Sequence, residues 1–166
     1  MAVVTDTELQ AELMEMGRVD LEVTTAALDQ EDFEAQLAWR RVTAAHAERL
    51  AEILDAHGWP GDDLVGRPAS QAAWKVAQHA DHRLDVQRLA LVLLSEAVAE
   101  GRAGARDLVF LTDRVRVNEG RRQVYGTQIA GVRDGVPVPW PCEEPERVEE
   151  LRAEAGVESF AAQTGL

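Results

Sequence analysis

Cysteine is nearly absent from this 166-residue chain: Cys142 stands alone, so no intramolecular disulfide framework and no cysteine-based zinc cluster can form. Its setting, PWPCEEPE, places carboxylates beside the thiol that raise its pKa and make it a poor nucleophile. Positive charge is scarce too. With 17 Lys and Arg against 30 Asp and Glu, the formal net charge is -13, which opposes the long-range attraction behind non-specific nucleic-acid binding and disfavours anionic membrane surfaces. Long apolar runs are missing: the longest, LALVLL, is far too short to span a bilayer, and the N-terminus shows no basic stretch followed by an apolar one. These absences lead to the expectation of a soluble cytoplasmic protein whose partner is a small-molecule ligand, not nucleic acid or a membrane. No pattern specifies an oligomeric state.

What is present is enough apolar residue, 46%, to bury one core. Helix signals fill the first two thirds. Thr5 or Asp6 can cap a first helix that repeats Leu9, Leu13 and Met16 at helical spacing, with Gly17 ending the pattern. Residues 1–28 read as an N-terminal helical arm and 29–166 as a single globular domain. A second helix is expected from Asp29 or Glu31 to Ala56, turning Phe33, Leu37, Ala44, Leu50 and Leu54 inward and stopped by Gly58 and Pro60. The stretch HGWPGDDLVGRPAS, with three glycines and two prolines, suits an ordered loop or a lid.

Ser70 can cap a third helix running to Glu100, and this one is apolar on two sides. Ala73, Ala77, Ala80, Leu84 and Leu91 share one face, while Val86, Leu89, Ala90 and Leu93 share the other. Such a helix belongs at the centre of the fold. Between its faces lie Trp74, Gln78, Asp81, Asp85 and Arg88, polar groups that need partners or a cleft. His79 and His82, three apart, could share a face and hold a divalent metal with a third ligand from Asp113, Asp85 or His46. No familiar metalloenzyme spacing supports that, and the expectation is no metal and no cofactor. Asp81 and Asp85 are four apart, where like charges would raise one pKa, as a general acid requires, unless Arg88 or another cation neutralises them. Asp113 and Arg114 offer a carboxylate and a planar cation that suits an anionic substrate.

Beyond ARDLVFLTDR the pattern changes to period two. RVRV, the turn NEGR and RQVYGTQI read as a β-hairpin, with RDG as a second turn and VPVPW as a proline-limited edge strand. As a strand, 121–128 would set Gln123, Tyr125 and Thr127 on one face and Gln128 on the other, with Gly126 leaving room for a ligand. Pro145 then opens a final amphipathic helix that closes at Gly156. The fold class expected is mainly α with a small antiparallel β-hairpin, an α+β domain built around a central buried helix.

GWPG, QHAD, DR and YGTQ, in this order, resemble a family of small bacterial proteins known only as a domain of unknown function, over about residues 45–160. The most specific part is Gln78-His79-Ala80-Asp81 together with Gln123 and Tyr125-Gly126-Thr127-Gln128. The resemblance also takes in Gly58-Trp59-Pro60, Gly66, Asp113-Arg114 and Arg152, and leaves out His57 and the first helix. It implies no reaction. A family recognisable by histidine, aspartate, arginine, tyrosine and glutamine has either a polar pocket or a buried hydrogen-bond network.

The leading expectation is a small cofactor-independent hydrolase, lyase or isomerase acting on a small polar or anionic metabolite. Its cleft would lie between the central helix and the hairpin, with HGWPG at the mouth. His79 would be the base, Asp81 its orienter or the acid, and Asp113 an alternative partner. Gln78, Arg114, Gln123, Tyr125, Thr127, Gln128 and Arg152 would hold substrate, with Trp59 or Trp74 as a flat wall. The rival expectation is an acidic binding or immunity-type protein without catalysis, acting through its negative surface.

Overall fold

A computed structural model describes residues 3–166. Its contacts cluster into a first unit ending at Ala103 and a second spanning Gly104–Leu166. The first unit is all helical: α1 (Thr7–Ala26), α2 (Phe33–His57), α3 (Asp62–Val65), α4 (Arg67–Gln78) and α5 (Leu84–Ala99). Asp6 caps α1, its carboxylate accepting from the Leu9 N–H at 2.9 Å, and Asp32 caps α2 in the same way from Ala35 at 3.0 Å. α1 does not end at Gly17. A Cβ there would lie 2.8 Å from the Cβ of Ala72, so this glycine lets α1 and α4 approach closely inside a continuous helix.

Leu9, Leu13 and Met16 of α1 are buried, as are Leu50, Ile53 and Leu54 of α2 and Ala69, Ala73, Val76 and Ala77 of α4. A fully buried Leu13 or Leu50 contributes about 1.5–3 kcal/mol each. Phe33 and Leu37 depart from the sequence expectation, being 78% and 50% exposed. HGWPGDDLVGRPAS is not a lid. Trp59, Pro60, Gly61 and Val65 are buried, α3 forms within the stretch, and the Trp59 indole N–H donates to Ser70 Oγ at 3.2 Å. α4 therefore starts at Arg67, and Ser70 accepts a hydrogen bond from inside the helix instead of capping it.

The helix expected from Ser70 to Glu100 is two helices. α4 stops at Gln78, and Ala80–Arg83 turn before α5 begins. Gln87, fully buried on α5, explains the break: its side-chain amide donates to the carbonyls of Ala77 (3.0 Å) and Gln78 (3.3 Å), which a continuing helix would have used. The buried stripe of α4 runs through Ala69, Ala73, Val76 and Ala77 and that of α5 through Val86, Ala90, Leu94 and Ala97, while Leu84, Leu91 and Leu93 are half-buried and Leu89 is exposed.

The second unit contains α6 (Ala105–Asn118), strands β1 (Ile129–Arg133) and β2 (Val136–Pro139), a 3-10 turn at Pro145–Arg147, α7 (Val148–Glu154) and α8 (Phe160–Thr164). RVRV lies in α6 and is not a strand. Asp107, Val109, Leu111, Asp113 and Val115 are all buried, and two residues of helix advance about 200°, so a helix covered on opposite sides imitates period two. The antiparallel hairpin is β1 with β2, joined where Asp134 (φ 51°) and Gly135 (φ 78°) both take the left-handed conformation of a type I′ turn. The chain is thus mainly helical with one small antiparallel sheet. Among the described residues, no helix is long and apolar enough to cross a membrane.

Candidate functional site

Asp20 extends the buried stripe of α1, one turn past Met16, and is 1% exposed. A carboxylate there requires a donor. His79, at the C-cap of α4, supplies it: Nδ1 lies 2.8 and 2.9 Å from the two carboxylate oxygens of Asp20. A carboxylate can only accept, so Nδ1 carries the hydrogen, and in the neutral ring the lone pair is on Nε2. The His79 side chain is 23% exposed, enough to meet a solute.

Beside it is a cleft of about 400 Å³ lined by Trp39, Arg40 and Thr43 of α2 and by His79, Asp81 and His82 of the turn between α4 and α5. That volume suits a small metabolite. Asp81 accepts from the buried Gln87 amide at 3.3 Å, which ties the cleft wall to the helix break. His46, one turn after Thr43, carries a buried Nδ1 with no hydrogen-bond partner, and Gln78 Oε1 and Thr24 Oγ1 are likewise buried and unpartnered. Burial lowers the His46 pKa, and the negative charge of Asp20 opposes that shift. Asp20 therefore has one histidine hydrogen-bonded to it and a second within its field.

The expected pairing of Asp81 with Asp85 does not form a general acid. Asp85 is exposed and bound to the Arg83 guanidinium, which holds its pKa down at about 2. His79 and His82 do not share a helical face, because the helix ends between them. Among the described residues, no three His, Cys, Asp or Glu side chains gather as a metal site.

Asp113, Arg114, Gln123, Tyr125, Thr127, Gln128 and Arg152 lie in the second unit, and most of their polar groups bond to the chain itself. RRQVYGTQ is an irregular loop wrapped around Asp113, which is fully buried. Asp113 Oδ1 accepts from the N–H groups of Val124 (2.8 Å) and Tyr125 (3.1 Å), and Oδ2 from the Thr127 N–H (3.0 Å) and hydroxyl (2.9 Å). Gln123, also fully buried, donates to the carbonyls of Gln128 and Trp140 and accepts from the Gln128 N–H. Arg114 donates to Gln128 Oε1 at 3.1 Å. Arg152, with no exposed surface, donates to the carbonyls of Tyr125, Gly126 and Glu158 and to Gln163 Oε1.

Asp113, Arg114, Gln123, Thr127, Gln128 and Arg152, which the sequence suggested for catalysis or substrate binding, are thus hydrogen-bonded within and around one loop of the second unit. Tyr125, half-buried, has its pKa raised by burial and then by Asp113. Cys142 is buried, and burial followed by Asp113 raises its pKa. Trp59 and Trp74 are core residues, and the indole at the cleft is Trp39.

Residues 7–164 match a family of unknown function, DUF6624. The chain belongs to this family. The DUF6624 match takes in α1, which the sequence resemblance over 45–160 left out, and with it Asp20. Neither a curated protein nor a solved structure matches the chain.

Asp20, Trp39, Arg40 and Thr43 were missed by the sequence reading, although a signal existed. Asp20 follows Leu9, Leu13 and Met16 at the same helical spacing, and Trp39, Thr43 and His46 continue into Leu50 and Ile53. Polar residues on an otherwise apolar stripe are the mark of a buried polar site.

Proposed function

We propose that this protein is a small cofactor-independent enzyme that performs acid-base chemistry on a small polar or anionic metabolite in the cleft beside His79. The observation that carries the reading is the buried Asp20 carboxylate bound to Nδ1 of a partly exposed histidine. This is how an imidazole is made into a directed base: the carboxylate fixes ring orientation and tautomer and steadies the imidazolium that forms on proton uptake.

In the proposed reaction Nε2 takes a proton from water or from the substrate. Asp81, which lines the same cleft, exchanges a proton with the departing group. Trp39 offers a flat apolar wall. Hydrolysis, elimination and isomerisation all use a base and an acid of this kind. A purely structural Asp–His tie would have no need of a cleft at the histidine, and that cleft favours the catalytic reading.

The test is turnover of a panel of small esters, amides, phosphoesters and β-elimination substrates by the wild type, His79→Gln and Asp20→Asn, with folding checked by circular dichroism. The reading expects a panel member whose kcat falls by about a thousandfold or more in both folded variants. Turnover undiminished in folded His79→Gln refutes it.

A further inference from the structure

The cleft at His79 does not end at Arg40. A second cavity, of about 530 Å³, is lined by Ala27, Gln30, Phe33, Gln36, Leu37 and Arg40, so the two share that arginine. Phe33, Leu37 and Arg40 lie at i, i+4 and i+7 on one face of α2, and a residue advances about 1.5 Å along a helix. Phe33 therefore lies about 10 Å along the helix axis from Arg40. The far wall of this second cavity is held in place by Gln36, whose side-chain amide donates to the carbonyls of Ala27 (2.6 Å) and Asp29 (3.2 Å) in the α1–α2 connection.

Arg40 itself is unusual in so acidic a chain. In the first unit Arg18, Arg49, Arg67, Arg83 and Arg102 each pair with carboxylates. Arg40 has no such partner among the described residues. Arg41 shares this freedom but lines neither cavity. An unpaired guanidinium shared by the cleft at His79 and a groove bearing an exposed phenylalanine and leucine brings a cation, an apolar surface and an imidazole to one region.

We infer that the substrate class is an amphipathic anion. Its carboxylate or phosphate group pairs with Arg40, its apolar tail, about 10 Å long, lies over Phe33 and Leu37, and its reacting polar end faces His79. The inference rests on the proposed role of His79 for the reacting end alone. The guanidinium fork matches either anion with two hydrogen bonds, and the groove removes the tail from water. Arg40 and the groove are thus the specificity elements of the site.

Binding of octanoate, octyl phosphate, butyrate and octanol is measured by calorimetry and by perturbation of the assigned Trp39 indole resonance. The proteins are wild type, Arg40→Gln, the double variant Phe33→Ser with Leu37→Ser, and His79→Gln. All but the last alter exposed side chains, so folding is retained. Octanoate or octyl phosphate is expected to bind wild type about tenfold more tightly than butyrate or octanol. Which of the two binds better identifies the anion. Arg40→Gln is expected to lose about tenfold for both anions, and the double variant to lose the preference for the long tail, while His79→Gln still binds. Equal binding of octanoate by wild type and Arg40→Gln, or no binding of either long anion, overturns the inference. Neither result touches His79 as base, which is judged by turnover.

Discussion

Asp20 is 1% exposed and His79 is its hydrogen-bond partner, so His79→Ala leaves a buried carboxylate unpaired. Removing the donor to such a carboxylate costs about 2–3 kcal/mol, most of it the unsatisfied charge. Asp20→Asn in the wild type is milder. It exchanges a charge-assisted hydrogen bond for a neutral one, a loss of about 1 kcal/mol. In the His79→Ala background the same substitution removes the stranded charge and should restore about 2 kcal/mol. One mutation is thus expected to change sign with its background. Urea unfolding of the four proteins at pH 8 reads this out through tryptophan fluorescence, because Trp39, Trp59 and Trp74, three of the four tryptophans, report on the first unit. At that pH His46, held below the ordinary histidine range by burial, carries no charge with which to compensate Asp20. If Asp20→Asn destabilises both backgrounds equally, within about 0.5 kcal/mol, the two residues are not coupled and the reasoning fails.

Four further outcomes are expected. His46 binds a proton less readily in the native state than in the unfolded chain, so the first unit should lose stability as pH falls through about 6.5, and His46→Leu should flatten the melting profile over that interval. Arg152→Met removes donors to four acceptors and should lower Tm by about 6 °C or more in a scan of the whole chain; a shift under about 2 °C would show that the loop does not depend on it. Gly17→Val should cost about 1–3 kcal/mol by pushing α1 from Ala72, and Ala72→Gly should recover part of that in chemical unfolding. Cys142, buried and with a raised pKa, should react with a thiol reagent at pH 8 about a hundredfold more slowly in native protein than in urea.

Some polar residues stood out in the sequence for a reason the structure locates elsewhere. Asp113, Gln123, Thr127 and Gln128 looked like substrate-binding equipment because they are polar and close together. Their partners turn out to be backbone groups of a loop that has no regular ladder to satisfy them. A sequence shows donors and acceptors but not whether the chain itself consumes them. RVRV was misread because an enveloped helix and a strand both alternate, and Phe33 and Leu37 because helical spacing marks a face without saying whether anything covers it.

The sequence by itself determined what local chemistry controls: a cap at Thr5 or Asp6, the stops at Gly58 and Gly156, the Asp-Gly turn of the hairpin, and a predominantly helical class, each governed by neighbours a few residues away. Only the tertiary structure decided that the 70–100 segment breaks, because Gln87 must fold back onto the α4 carbonyls to break it. The tertiary structure also decided that His79 faces Asp20, a residue 59 positions away. Such a pair forms when two helices bury their stripes against each other, and no spacing along the chain records which buried carboxylate a histidine will meet.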